Sequence, residues 1–410
     1  MITRTDALRL DAADPLARFR DRFEIPDGLA YLDGNSLGAL PKGVAQRVAD
    51  AVSREWGEGL VRSWNDAGWI DLPRRVGDRI ARLVGAGPGE VVCTDSTSVN
   101  VFKVLSAALA LRPGRSTILS EEGNFPTDLY MAEGLARLLD SGHRLRLVAK
   151  GDVLSALDAD VAVLLLTHVD YRTGERHDLE TTTRSAHEAG ALVAWDLAHS
   201  AGAMPVDLAA AGADFAVGCG YKYLCGGPGA PAFLYVAPRH QQAFVQPLSG
   251  WLGHAEPFAF EPGYRPAEGI SRFLCGTPPI LSMTALDAAL DVILEADLAL
   301  VREKSEKLTS FFVEAVEQEC AGAVRLVSPR DPSRRGSQVS FAHPDGYAVI
   351  RALVARGVVG DFRAPDVLRF GFAPLYVRFV DAWDAAGALA EVLSSHAHER
   401  PEFRGRAAVT

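Results

Sequence analysis

The chain contains three short apolar runs in succession: VAVLLLTHV at residues 161–169, ALVAWDLAHS at 191–200 and DFAVGCG at 214–220. Each run is rich in aliphatic or aromatic residues and is bounded by polar residues or glycine, which is typical of a buried strand. A stretch with helix-like spacing of apolar residues lies between the first two runs. This alternation predicts an α/β domain with a largely parallel or mixed sheet.

The same pattern extends to both sides of these runs. Further strand candidates are EVVCTD at 90–95, STILS at 116–120, LRLVAK at 145–150 and AFLYVA at 232–237, and helix-like spacing covers Val99–Leu111, Leu129–Leu139 and Thr182–Ala189. We therefore expect helices on both faces of the sheet. Ligands in such folds bind at the carboxyl ends of the strands, so residues that directly follow the runs are the first functional candidates.

The pattern changes after the Pro-Pro pair at 278–279. Residues 281–319 have helical spacing throughout, which predicts two helices or one bent helix, and shorter β and α pieces follow. We expect three parts: an N-terminal segment (1–45) that packs with the small domain, a large domain (46–285) and a smaller α/β C-terminal domain (286–410).

Composition excludes several classes of function. The 410 residues are 48% hydrophobic and 23% charged, and the net charge of −10 disfavours nucleic acid or an acidic membrane surface as the main ligand. No apolar run is long enough to span a bilayer or to act as a signal peptide. Five cysteines without a CxxC pair predict free thiols in a reducing cytoplasm and no metal site.

The first chemical candidate is Lys222, in the segment GCGYKYLCGGPG at 218–229. This lysine follows a predicted buried strand and precedes a glycine-rich turn. A partly desolvated amine is a competent nucleophile toward an aldehyde. Taken alone, a strand-end lysine is more often an ordinary surface residue.

Asp196 is the second candidate, and its position favours a functional role for Lys222. Asp196 stands where the strand ALVAW ends, twenty-six residues before Lys222, and His199 follows three residues later. A carboxylate at this position can pair with the pyridine nitrogen of pyridoxal phosphate (PLP) and keep the ring an electron sink. An isolated strand-end aspartate is often a helix N-cap, but together with Lys222 it favours a cofactor site.

Two further segments are suited to the rest of such a cofactor. The run DSTSVN at 95–100 lies between a strand and a helix predicted to begin near Val99, where hydroxyls and free N–H groups can bind a phosphate. The run NFPTD at 124–128 follows another strand and offers an aromatic ring with polar neighbours. Each is weak evidence alone, since both are also common capping and turn sequences.

Six motifs in order carry a resemblance to a known family: YLDGNSLG at 31–38, WGEGLVRSWNDAGWI at 56–70, FPTD at 125–128, DLAHSAG at 196–202, GYKYLCGGPG at 220–229 and LRFGFAPLY at 368–376. Together they resemble the kynureninases, above all the bacterial members, from about residue 25 to 380. These enzymes are fold-type-I PLP enzymes of the class V aminotransferase branch. The resemblance implies that fold, a large domain with a mostly parallel sheet between helices, and a smaller α/β C-terminal domain.

The resemblance also implies the reaction and the site. The reaction is hydrolysis of L-kynurenine to anthranilate and L-alanine in tryptophan catabolism, with activity on 3-hydroxykynurenine left open. Lys222 would form the Schiff base with PLP, Tyr221 would bind the phosphate and assist proton transfer, and Asp196 would pair with the pyridine nitrogen. The other implied cofactor-binding residues are Thr97, Ser98, Phe125, Asp128, Thr167, His199, Trp251 and Thr277.

Substrate contacts and assembly follow from the same resemblance. Arg369 would bind the substrate α-carboxylate, for which a guanidinium is suited by its bidentate geometry. Asn35, Ser36 and Trp64 would line the aryl end of the pocket. In relatives part of the phosphate shell comes from a second subunit, which implies a homodimer with shared active sites.

Several alternatives stay open at this stage. A cysteine desulfurase would need a mobile, exposed cysteine in the second half of the chain, and Cys320 is the only candidate well beyond Lys222. An aminotransferase shares the early chemistry, and a non-catalytic PLP-binding regulator would keep the lysine. An NAD-dependent dehydrogenase is disfavoured, because no GxGxxG follows an early strand.

Overall fold

The computed structural model describes residues 1–244 and 246–405. The helices of this part are α1 Arg4–Ala12, α2 Val44–Asp50, α3 Ser63–Asp66, α4 Leu72–Ala81, α5 Thr97–Ala110, α6 Pro126–Leu139, α7 Leu179–Glu188, α8 Pro238–Gln241, α9 Ile280–Ile293, α10 Leu298–Glu319, α11 Gly346–Val354, α12 Phe379–Ser394 and α13 Pro401–Arg404. A wide-turn helical segment, Ala51–Gly59, continues α2.

The strands are β1 Phe23–Glu24, β2 Ala30–Tyr31, β3 Leu40–Pro41, β4 Val91–Cys93, β5 Thr117–Glu121, β6 Arg144–Val148, β7 Val161–Thr167, β8 Leu192–Asp196, β9 Phe215–Cys219, β10 Ala232–Val236, β11 Arg325–Leu326, β12 Gln338–Ala342, β13 Val358–Val359, β14 Asp361–Arg363 and β15 Val367–Gly371. All seven strands predicted between residues 90 and 237 are confirmed.

These seven strands form one sheet in the order β4-β10-β9-β8-β7-β5-β6. Only β10 runs antiparallel to its neighbours, and the other adjacent pairs are parallel, so the sheet is mostly parallel as expected. Along β7, Val163 and Leu165 face a core shared with α5, whereas Leu164 and Leu166 face a core shared with α4 and α9. Helices therefore cover both faces, and β7 is apolar from Val161 to Leu166 because both its faces are buried.

A second sheet has the antiparallel order β11-β12-β15-β14. It packs with α10 and α11, and α12 packs against these two helices. The helical stretch after residue 280 is two helices, α9 and α10, and α10 begins where the Asp297 side chain accepts from the Ala299 N–H at 2.8 Å. At the N-terminus α1 packs against α12 and β2 pairs with β13. The domain boundaries 1–45, 46–285 and 286–410 stay a prediction.

Residues 31–38 form a linking segment between the two sheets. The Leu32 N–H donates to the Val359 carbonyl and the Leu32 carbonyl accepts from the Gly371 N–H, both at 2.7 Å. The Gly38 N–H donates to the Tyr221 carbonyl at 2.8 Å. A Cβ on Gly38 would lie 2.2 Å from the Lys222 carbonyl oxygen, so this close approach requires glycine. Among the described residues, no helix is long and apolar enough to cross a membrane.

Candidate active site

A cavity of about 280 Å³ opens at the carboxyl ends of β7, β8 and β9. This is the edge of the sheet where ligands bind in open α/β folds. Nine of the predicted cofactor-binding residues line it together: Thr97, Ser98, Phe125, Asp128, Thr167, Asp196, His199, Tyr221 and Lys222. The fold thus brings together residues that are spread over about a third of the chain.

Lys222 lies three residues beyond β9 and is half-buried at the cavity wall. Its Nζ is 3.0 Å from His199 Nε2 and 5.8 Å from the centre of the Phe125 ring. Burial, reinforced by the positive charge of Lys222, lowers the pKa of His199 well below its usual value. His199 is thus a neutral imidazole that can accept a hydrogen bond from the lysine.

Two buried carboxyl groups lie beside the lysine. Asp196 is the last residue of β8, and its Oδ1 accepts from the Ala198 N–H at 2.8 Å. Asp128 stands in the first turn of α6. Burial raises the pKa of both groups, and the charge of Asp196 raises the pKa of Asp128 further, while the charge of Lys222 opposes the shift at each. We infer that Asp128 holds a proton and that Asp196 carries the negative charge of the pair.

The amino end of α5 forms another wall of the cavity. The helix begins at Thr97, two residues before the predicted start, and Ser96 caps it by accepting from the Val99 N–H at 3.4 Å. The N–H groups of the first helical turn have no carbonyl partner within the helix. With the hydroxyls of Thr97 and Ser98 they form a site suited to a phosphate.

Two polar atoms of the cavity are buried without a hydrogen-bond partner among the described residues: Thr167 Oγ1 and His199 Nδ1. Unsatisfied buried groups are costly unless a ligand completes them. The same space is bounded by a lysine amine, a buried aspartate, a phosphate site at a helix end and an aromatic ring. This donor set fits PLP, whose aldehyde, ring nitrogen, phosphate and ring face each find a matching group.

Arg369 lies outside the lining of this cavity but reaches its edge. It is buried in β15, and its Nη1 donates at 2.7 Å to the carbonyl of Tyr171, which lines the cavity. Its Nη2 donates to Ser36 Oγ at 2.8 Å, and its Nε donates to Asp361 Oδ1 at 2.7 Å. Tyr171 and Asp361 were not predicted from the sequence.

The remaining predicted residues make contacts outside the lining of this cavity. Asn35 is fully buried, with its amide nitrogen 3.2 Å from the Gln338 side-chain oxygen. Trp64 packs edge-on against Trp251, with ring centres 6.0 Å apart, and Thr277 is exposed. None of these four lines the cavity within the described part of the single chain.

Comparison with known proteins decides which PLP family this is. The chain is 56% identical to a kynureninase of Burkholderia pseudomallei and 54% identical to one of Pseudomonas fluorescens, with both chains covered completely in each case. A family model described as the kynureninase C-terminal domain matches residues 301–389. The chain belongs to the kynureninase family.

Solved structures agree with the fold of this kynureninase-family chain. It resembles a cysteine desulfurase from Thermococcus onnurineus NA1 with a TM-score of 0.78 and 21% identity, over 92% of this chain and 98% of the other. It also resembles a C-DES mutant with glycine covalently linked to the PLP cofactor, with a TM-score of 0.78 and 18% identity, over 91% and 99% of the two chains. At these identities the likeness supports the fold alone.

Cys320, the cysteine considered for the desulfurase alternative, is unsuited to that role in this kynureninase-family chain. It directly follows α10, and only 6% of it is exposed. Burial, with the charge of Glu319, raises the pKa of its thiol to about 12. A protonated thiol at a helix end is neither mobile nor nucleophilic.

Proposed function

We propose that this chain hydrolyses the Cβ–Cγ bond of L-kynurenine to give anthranilate and L-alanine, with PLP as cofactor, in the cavity beside Lys222. The observation that carries the proposal is the placement of Lys222 next to buried Asp196 and His199, in a chain 56% identical to kynureninase.

Specific residues would hold the cofactor. Lys222 is its covalent attachment point, the α5 amino end with Thr97 and Ser98 binds its phosphate, and Asp196 faces its ring nitrogen. Phe125 covers one ring face, while Asp128, Thr167 and His199 supply hydrogen bonds at the ring edge. When bound, PLP supplies an electron sink that stabilises negative charge on substrate carbon.

Lys222 also serves as the base that takes the proton from the substrate α-carbon. A general base must lie within hydrogen-bond reach of the proton it removes and must be neutral when it acts. His199 Nε2, at 3.0 Å from Nζ, keeps the amine at the cavity wall by accepting a hydrogen bond from it. Because the imidazole itself is neutral, it adds no positive charge beside the amine.

Tyr221 is the proton donor for the later steps. Burial, with smaller contributions from Cys219 and Asp196, raises the pKa of its phenol above the usual value, so the hydroxyl keeps its proton at neutral pH. A protonated phenol beside Lys222 can deliver that proton to the β-carbon of the substrate when the aryl acid leaves. It also lies within the cavity, where it can contact the cofactor phosphate.

The substrate would lie between Lys222 and the small sheet. Arg369 binds its α-carboxylate, and Asn35, Ser36 and Trp64 bound the space left for the aryl ring. Ser36 is hydrogen-bonded to both Arg369 and Asp361, so its contact with the substrate would be on the carboxylate side as much as the aryl side.

The activity is tested by supplying the purified protein with PLP and L-kynurenine and following anthranilate fluorescence. We expect anthranilate and alanine to form in equal amounts, and 3-hydroxykynurenine serves as the second substrate to compare. Cysteine is offered in parallel. If alanine formed from cysteine and no anthranilate formed from kynurenine, the proposed activity would be wrong and the chain would act as a desulfurase.

We further propose that the enzyme is a cytoplasmic homodimer with shared active sites. Exposed aromatic side chains support the dimer: Trp251 contacts Phe258, which contacts Phe260, and these two phenylalanines are 62% and 77% exposed. Contiguous exposed apolar surface marks interaction sites. Thr277 and Trp251 would reach the phosphate of the partner's site. The five free cysteines support the proposed cytoplasmic location, where thiols stay reduced.

Mixing two inactive variants tests the shared site. Lys222→Ala and Trp251→Ala are each expected to be poorly active, and subunit exchange between them creates dimers with one intact site. Random exchange should restore about a quarter of wild-type activity per subunit. If Trp251 served its own chain, mixing would restore nothing beyond the average of the two variants.

A further inference from the structure

Arg369 is held by Asp361, a residue that has no role in the proposed reaction. Asp361 and Arg369 lie directly opposite each other on the antiparallel strands β14 and β15. Asp361 Oδ1 accepts from Arg369 Nε at 2.7 Å, and Asp361 Oδ2 accepts from Nη2. Both side chains are almost fully buried, at 2% and 3% exposure. The pair is therefore a bidentate ion pair whose position is fixed by strand register.

This pairing determines which edge of the guanidinium remains for a ligand. Asp361 occupies the side edge, made of Nε and one N–H of Nη2. The end edge, made of Nη1 and the other N–H of Nη2, meets only neutral acceptors, the Tyr171 carbonyl at 2.7 Å and Ser36 Oγ at 2.8 Å. A carboxylate is a stronger acceptor than either, and the Tyr171 contact puts this edge beside the cavity.

Asp361 is itself kept ionised and oriented. Ser36 Oγ donates to its Oδ2 at 2.7 Å, and Arg363 Nη2 donates to the same oxygen at 2.7 Å. Burial alone would raise the pKa of Asp361, but the hydrogen bond and charge of Arg369, with the charge of Arg363, lower it below the usual value. The carboxylate thus stays a fixed anchor between two guanidinium groups.

We propose that Asp361 is a positioning residue of the reaction, which holds Arg369 by its side edge so that the end edge faces the substrate α-carboxylate. The proposal rests on the proposed role of Arg369. Two effects of Asp361 oppose each other, because its negative charge also repels the incoming carboxylate. Orientation is the larger effect, since an asparagine offers one acceptor in place of two and removes the charge of Asp361 that pairs with both Arg369 and Arg363.

The test measures kcat and KM for L-kynurenine with Asp361→Asn, Asp361→Glu, Arg369→Ala and the double variant Asp361→Asn/Arg369→Ala. Asp361→Asn should raise KM about ten- to a hundredfold, as loss of an orienting partner does for other ligand-binding side chains, while kcat changes much less. Asp361→Glu should recover part of that loss. In the Arg369→Ala background, Asp361→Asn should have no further effect on KM.

The outcomes separate the two proposals. An unchanged KM in Arg369→Ala removes the carboxylate role from Arg369. A raised KM in Arg369→Ala with an unchanged or lowered KM in Asp361→Asn overturns the positioning role alone. An equal loss from Asp361→Asn with and without Arg369 would make Asp361 merely structural and also overturn it. If Asp361→Asn does not fold, Asp361→Glu carries the test, with a smaller rise in KM that must again vanish in the Arg369→Ala background.

Discussion

Replacing Lys222 by alanine is expected to lower kcat for kynurenine hydrolysis by about 10⁴-fold or more, because we propose that this one side chain supplies both the covalent anchor and the α-proton base. The fold should survive. Lys222 is half-buried, and its amine has one hydrogen-bond contact, with His199. The measurements are anthranilate release, the absorbance of bound cofactor and the thermal unfolding midpoint.

Lys307→Ala is the matched control for this variant. Lys307 is an exposed lysine of α10 whose amine pairs with Glu303 one helical turn away. Its loss should cost a few tenths of a kcal/mol of stability at most and leave turnover unchanged. Activity of Lys222→Ala within a hundredfold of wild type, without added amine, would remove Lys222 from the role of base.

Asp196→Asn is expected to lower kcat by about 10²–10³-fold, the usual cost of removing one preorganised electrostatic partner from an active site. The substitution keeps the shape of the side chain and its hydrogen bond to the Ala198 N–H. It removes the negative charge that would keep the cofactor nitrogen protonated. We expect weaker cofactor binding and a changed absorbance of the bound cofactor, since both depend on that charge.

Asp128→Asn is the matched control for Asp196→Asn. It separates the effect of losing the Asp196 charge from the effect of changing a buried carboxyl group to an amide. Asp128 is equally buried, but its pKa is raised the further of the two, so the asparagine replaces a neutral acid and removes no charge. We expect its effect on kcat to be tenfold or more smaller than that of Asp196→Asn. Equal losses in the two variants would show that the charge the reaction needs is not carried by Asp196 alone.

Sequence reasoning found the large sheet and the cavity for one physical reason. Strands buried on both faces appear as short apolar runs, and the carboxyl ends of parallel strands meet at one edge. The residues after the runs, such as Asp196 and Lys222, are therefore brought together by topology alone. Exact helix ends could not be predicted in this way. The helix α5 begins at Thr97 rather than near Val99, because Ser96 is its capping residue.

Asp361 shows why other parts of the site could not be predicted. Strand β14 has three residues, two of them charged, and is too short to show an apolar run or a recognisable alternation. It forms a hairpin with β15, but the three connecting residues 364–366 contain no glycine, which is the usual signal of such a turn. The contact of Tyr171 with Arg369 is likewise made through a backbone carbonyl, which any residue type could supply.

The linking segment 31–38 ties the two ends of the substrate site to one stretch of backbone. It is hydrogen-bonded to the strand end that follows Arg369 and to the turn that carries Lys222. One residue added or removed there would shift the carboxylate anchor relative to the amine, without altering either side chain. The length of this segment thus helps to set the spacing between the Arg369 guanidinium and the Lys222 amine. With Arg369 in its proposed carboxylate-binding role, engineering for a substrate whose carboxylate lies farther from the reacting carbon would begin with this segment rather than with the pocket.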